Sequence, residues 1–227
     1  MRTFVFSIIT ALVVFAFHME AKATSLRILT ENYPPLNYLD GTIQKGPAIE
    51  IVNEITNRLN IDTPIEVLPW ARAYKYIESR PNNLLFSMTR SAQREKSFKW
   101  VGPLAEKSIG LFAHKNSTIT LDSLEDAKAY KTAVQLNGVG MQMLQAKGFT
   151  NLDPSTTAKA NLRKLDKGRV DLWYSSNATI SGNCTVLKMT DCPFKPVFMT
   201  KVTYMYIAFN KTTSDDVVDK WQAAYET

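Results

Sequence analysis

Residues 26–59, LRILTENYPPLNYLDGTIQKGPAIEIVNEITNRL, decide the fold. Leu26 to Thr30 alternates loosely like a strand, and Asn32-Tyr33-Pro34-Pro35 ends it, because proline has no N–H to give to a ladder. A loop runs to Gly46. From Pro47 onward Ala48, Ile51, Val52, Ile55 and Leu59 recur at spacings of three and four, with proline at a first helical position, so an amphipathic helix follows. The unit then repeats. Ile65 to Leu68 reads as a strand, Pro69 and Trp70 break it, Ala71 to Ser79 is helical, and Pro81-Asn82-Asn83 turns the chain into a third strand, Leu84-Leu85-Phe86. Strands alternating with helices predict an α/β fold on a largely parallel sheet, whose ligands gather beyond the carboxyl ends of the strands. Thr30, Trp70 and Thr89 fall at such ends.

The remainder continues the pattern. Ser108 to His114 is a strand, and Leu121 to Ala129 a short helix capped by Asp122 or Ser123. Thr132 to Gln135 is a strand, and the Gly138-Val139-Gly140 turn leads into a helix through Lys147. Thr157 caps a helix from Ala158 to Lys167 that Gly168 stops, and Val170 to Tyr174 returns as a strand. Tyr204 to Phe209 is the last strand and Asp215 to Tyr225 the last helix. With 227 residues, no repeat and no long linker, two domains joined by crossing strands are expected.

The most specific chemistry lies in SMTRSAQREKSFKW, residues 87–100. Here an apolar strand gives way at Ser91 to a charged segment that could start a helix. Thr89 and Ser91 offer hydroxyls, the first turn of a helix leaves N–H groups free, and the Arg94 guanidinium can grip a carboxylate with two parallel bonds. A small-molecule carboxylate site is the functional reading, and a strand end capped by Ser91 beside a solvated arginine is the bland one.

Arg2, the apolar run Phe4 to Phe17 and the small-x-small pattern at Ala21-Lys22-Ala23 read as a signal peptide over residues 1–23. No cysteine lies near the cleavage point to take a lipid anchor, so a protein free in the periplasm is expected. Without Arg2, Lys22 and Glu20, the 27 basic and 21 acidic side chains become 25 and 20, a net charge of +5 against +6. That mild, scattered excess argues against nucleic-acid binding. In an oxidising compartment Cys184 and Cys192 pair as a disulfide closing a small loop. With His114 the one histidine after residue 23, neither a zinc site nor a Ser-His-Asp set can be assembled, and no GxxxxGK phosphate loop occurs. No metal and no cofactor are expected.

Taken in order, the signal segment, LRILTENYPPLNY, a glycine before an amphipathic helix, VLPWARAY, SMTRSAQREKSFKW and DLWYSS resemble the periplasmic solute-binding proteins for amino acids and related molecules, over nearly the whole chain after residue 23. The resemblance implies a two-lobed α/β fold of type II with two crossing hinge segments. Lobe one would be residues 24–106 plus 203–227, and lobe two residues 107–202. It also implies that Thr89, Ser91 and Arg94 hold a ligand carboxylate. Tyr33 and Trp70 would sandwich the ligand, and the turn at Gly138 and Val139 would meet it from lobe two. The expected partners are a small carboxylate-bearing ligand and an inner-membrane ABC permease or a sensor, with the protein itself a monomer and not an enzyme.

Two departures follow from that comparison. Relatives specific for α-amino acids place an aspartate at the end of the DLWYSS strand to pair with the ligand ammonium, and Ser176 stands there instead. Either Glu31 or another acid takes that part, or the ligand has no α-ammonium group. The family also continues past the helix near Asp215, so the chain reads as shortened at Thr227. The rival function is a dehydratase-like enzyme on the same scaffold with Glu31 as general acid.

Overall fold

The computed structural model describes residues 26–227; the expected signal segment, and Thr24 at the expected start of lobe one, lie outside the described residues. Among the described residues ten strands and six helices follow in chain order. The strands are β1 (Arg27–Thr30), β2 (Tyr38–Asp40), β3 (Ile43–Lys45), β4 (Ile65–Val67), β5 (Asn83–Thr89), β6 (Phe98–His114), β7 (Thr132–Gln135), β8 (Leu152–Ser155), β9 (Leu172–Ser176) and β10 (Phe194–Asn210). The helices are α1 (Pro47–Arg58), α2 (Trp70–Ser79), α3 (Val139–Ala146), α4 (Ala158–Asp166), α5 (Asn177–Val186) and α6 (Asp215–Glu226), with a 3-10 helix at Glu125–Ala129.

Eight strands hydrogen-bond in the order β4-β1-β5-β10-β6-β9-β7-β8. Each end is parallel, as β1 pairs in parallel with β4 and β5 and β7 pairs in parallel with β8 and β9. The middle is antiparallel. There β6 and β10, 17 residues each, pair along their length from Phe98 opposite Asn210 to His114 opposite Phe194. Both strands start in one half of the molecule and finish in the other. They are the two crossing segments.

The apolar side chains divide accordingly. Two buried clusters draw on residues 26–104 and 207–225, and two on residues 109–198. In the first half Ile28, Leu84 and Phe86 of the sheet pack on Val52 and Ile55 of α1 and on Trp221 of α6, whose ring meets Phe209 edge-on at 5.4 Å. In the second, Val134, Leu144 and Leu172 lie on one face, and Leu162, Trp173 and Ile180 on the other. Helices cover both faces of each half, the arrangement that parallel strands require.

Most local expectations hold, with physical reasons where they differ. Pro47 opens α1 as read, and Gly46 before it has φ 114°, where a Cβ would lie 2.3 Å from the Leu36 carbonyl oxygen. Thr157 caps α4 by accepting from the Ala160 N–H. The helix expected from Ser91 is a single turn closed by Arg94 and Glu95 N–H groups on the Ser91 carbonyl, because Phe98 must re-enter the sheet. The Leu121–Ala129 helix shrinks to the 3-10 turn. Its cap is reversed, since the Asp126 carboxylate accepts from the N–H groups of Asp122 and Ser123. The loop before Gly46 holds the β2–β3 hairpin, and Cys184 and Cys192 are bonded as a disulfide, with Cα atoms 5.6 Å apart.

Candidate functional site

Carboxyl ends of strands from both halves converge on one cleft. Glu31 follows β1, Trp70 opens α2 after β4, and Thr89 ends β5 on one wall. Opposite them, Gln135 ends β7, Gly138 is the N-cap of α3, and Ser176 ends β9 as the N-cap of α5.

Arg94 lies at the bottom of this cleft and is 1% exposed. Its guanidinium sits 5.2 Å from the Trp70 ring centroid and 4.9 Å from that of Tyr74, so two aromatic faces favour its charge. Among the described residues every hydrogen bond it makes is to a neutral acceptor. Nη1 donates to the Thr89 carbonyl at 3.3 Å, Nη2 to the Asn137 carbonyl at 3.4 Å, and Nε to Gln142 Oε1 at 3.1 Å. The last two come from the opposite wall. Burial pushes its proton affinity down, with Tyr74 and then Glu31 opposing, yet a guanidinium stays charged at any ordinary pH. A cation so desolvated and held by dipoles alone suits an added anion.

Glu31 is also buried, and its Oε2 accepts from Gln135 Nε2 across the cleft. Burial raises its pKa to about 7, against the smaller opposing effects of the Gln135 hydrogen bond, Lys107 and Arg94. Near neutrality this carboxyl can hold or release a proton.

Further contacts close the walls together. Trp70 Nε1 donates to the Asn137 carbonyl at 2.9 Å, and the Tyr33 and Ser176 hydroxyls meet at 2.9 Å. Ser176 Oγ also accepts from the Thr179 N–H, as a serine N-cap does. Gly182 of α5 approaches Pro34 so closely that a Cβ there would lie 2.8 Å from the Pro34 carbonyl oxygen.

Among the cavities between the walls, two adjoin one another beside Arg94 and Glu31. A smaller one of about 30 Å³ is bordered by Glu31, Trp70, Ser87, Thr89 and Arg94. A larger one of about 70 Å³ is bordered by Gly138, Val139, Gly140, Asn161, Ser176 and Thr179. Tyr33, Lys107, Gln135 and Val139 border both. Asn161 is fully buried, its Nδ2 donates to the Val134 carbonyl, and its Oδ1 has no hydrogen-bond partner among the described residues. A ligand N–H or O–H would satisfy that acceptor.

Of the residues singled out in the sequence, Glu31, Tyr33, Trp70, Thr89, Arg94, Gly138, Val139 and Ser176 border these cavities. Ser91 does not. It borders another, mostly apolar cavity with Met143 and Tyr174, and its buried Oγ has no hydrogen-bond partner among the described residues. Sequence reading missed Ser87, Lys107, Gln135, Asn137 and Gln142. Gln135 ends a strand and could have been found by the rule that marked Thr30 and Thr89. Ser87 has φ 61°, rare for a side-chain-bearing residue, at the point where β5 bulges against β10, and its Oγ donates to Asn37 Oδ1 at 2.6 Å.

A family model described as bacterial extracellular solute-binding proteins, family 3, matches residues 26–226. No curated protein matches the sequence. Among solved structures, a histidine kinase sensor domain with similarity to periplasmic binding proteins has a TM-score of 0.79 at 17% identity, covering 88% of this chain and 89% of that one. Arginine-binding ArgBP of T. maritima in its holo form gives 0.76 at 15% identity, covering 89% of each chain. ArtJ of Geobacillus stearothermophilus, which binds arginine, lysine and histidine, gives 0.75 at 15% identity, with 89% and 88% covered. Such likenesses establish the fold, the two-lobed type II architecture of periplasmic binding proteins.

Proposed function

Because the chain belongs to the bacterial extracellular solute-binding proteins of family 3, we propose that it captures a small carboxylate-bearing solute by closing two lobes over it, without chemistry on the solute. The observation that carries this reading is Arg94, a guanidinium buried in the cleft with neutral partners only. Thr89, with Trp70 stacked beside the guanidinium, completes the carboxylate subsite. Tyr33, Glu31, Gly138, Val139 and Ser176 form the rest of the pocket, and Ser91 supports the turn that carries Arg94. Lobe one is assigned to residues 24–106 plus 203–227 and lobe two to residues 107–202. Closure desolvates the ligand between contacts already in place, while the middle of β6 and β10 absorbs the backbone change.

An exported protein of this kind delivers its ligand to an inner-membrane ABC importer. Sensing is the second reading, favoured by the likeness to a histidine kinase sensor domain. Thermal-shift titration of the protein from residue 24 against amino acids, other carboxylates and amines tests the proposal. Stabilisation should grow with ligand concentration for carboxylates and vanish in Arg94→Met. Turnover of an acid that Glu31→Gln abolishes would instead make the protein an enzyme.

A further inference from the structure

The cleft holds a second cation. Lys107 lies midway along β6, where that strand passes between lobes, and its half-buried side chain borders both cavities. Its Nζ is 5.5 Å from the Tyr33 ring centroid. Among the described residues it has neither an ion-pair nor a hydrogen-bond partner. The one acid bordering either cavity, among those residues, is Glu31.

The charges do not cancel. Arg94 and Lys107 exceed Glu31 by one positive charge when Glu31 is ionised and by two when it is protonated. A zwitterion contributes no net charge, so it would leave this excess unbalanced beside the buried Arg94, where an unbalanced charge is costly. Ser176, bonded to the Tyr33 hydroxyl, supplies no charge for an ammonium group. Building on the carboxylate reading above, we propose that the ligand is a compact dicarboxylate without an ammonium group, one end held by Arg94 and the other by Lys107.

The remaining groups fit that ligand. Burial already favours the protonated form of Glu31, and a second anion nearby favours it further, so its O–H can donate to a ligand carboxylate oxygen. Both cavities are small, which suits a short chain between the two carboxylates. Tyr33, Lys107, Gln135 and Val139 border both and form the passage between them.

Three four-carbon acids test the proposal by calorimetry on the protein from residue 24: succinate, butyrate and L-aspartate. Succinate and butyrate differ by one carboxylate, and succinate and aspartate by the ammonium group. Succinate should bind at least about tenfold more tightly than either. Lys107→Met should cost succinate about tenfold or more while moving butyrate by less than about twofold, and Lys107→Arg should retain succinate binding. Tighter binding of aspartate than of succinate, or equal loss of succinate and butyrate in Lys107→Met, overturns the dicarboxylate but leaves the carboxylate site standing. Absence of binding by all three at millimolar concentration, or binding indifferent to Arg94→Met, overturns both.

Discussion

The hydroxyls of Tyr33 and Ser176 meet at 2.9 Å although 143 positions separate them in the chain. One stands after β1 and the other ends β9, on opposite walls of the cleft, so under the proposed closure this bond would form only when the lobes shut. Together with Trp70 on Asn137, Arg94 on Gln142 and Gln135 on Glu31, it forms a latch of neutral and charge-assisted bonds around the cavities. Function and stability therefore pull on the same side chains in different directions.

Arg94 shows this most clearly. Its burial without a carboxylate partner is a cost borne by the empty protein, and Met relieves that desolvation while giving up three hydrogen bonds to neutral acceptors. Arg94→Met should therefore leave the melting temperature of the unliganded protein unchanged or higher. Affinity for a carboxylate ligand should fall by about 2–5 kcal/mol. Differential scanning calorimetry and titration calorimetry on the same preparation check both halves.

Glu31 gives the empty protein a pH dependence of definite sign. Its pKa rises on folding from an ordinary value of 4.5 to about 7, so its contribution to stability is whole below the lower value. Between the two values the unfolded chain releases a proton that the folded state keeps, and stability declines as pH rises, by up to about 3 kcal/mol. Denaturant unfolding from pH 4 to 8 should show that decline in the wild type and a shallower one in Glu31→Gln. Parallel curves would mean that Glu31 titrates normally.

Gly182 offers a way to oppose closure without touching the pocket. A Cβ at that position would press on the Pro34 carbonyl of the other lobe, and a β-branched side chain cannot yield there. Gly182→Val should weaken ligand binding by about tenfold or more, chiefly through faster dissociation. Small-angle scattering should show a larger radius of gyration with ligand present than in the wild type.

The Cys184–Cys192 bond spans eight positions and joins the end of α5 to the approach to β10. Loop-closure entropy for so short a loop gives about 2–3 kcal/mol. Cys184→Ala with Cys192→Ala should lower stability by that amount in urea unfolding, and dithiothreitol should lower the wild type to the same level.

How far these features could be read from the sequence depended on whether one segment carried its own signal. The helix at 47–58 did, through proline at its start and apolar residues every third or fourth position. So did the strand ends at Thr30 and Thr89, whereas Trp70, read as a strand end, opens α2 after β4 has stopped at Val67. The crossing strands did so only in part. The reading found Ser108 to His114 and Tyr204 to Phe209, whereas β6 begins at Phe98 and β10 at Phe194, because Gly102-Pro103 and Pro196 interrupt a strand pattern that bulges in the same strands accommodate. Helix α5 was missed, since NATISGNCTV carries little amphipathic signal. At the site, Arg94 was visible from its neighbours in the chain. Lys107, Asn137 and Gln142 were not, since nothing adjacent marks them and only the packing of one lobe on the other brings them near it.

The position of β10 between β5 and β6 also bears on how the chain can fold as it emerges. On the proposed assignment lobe two is a continuous stretch that ends within β10, whereas lobe one receives the strand that pairs β5, and the Trp221 wedge beneath it, only after that stretch. Until residues 205–221 arrive, the edge of β5 away from β1 has no partner, so β1 and β5 wait for a segment made after the whole of β9. A helper that shields nascent protein would have its longest task at that edge, and substitutions in α6 should trap a half-built molecule in which lobe two is already complete.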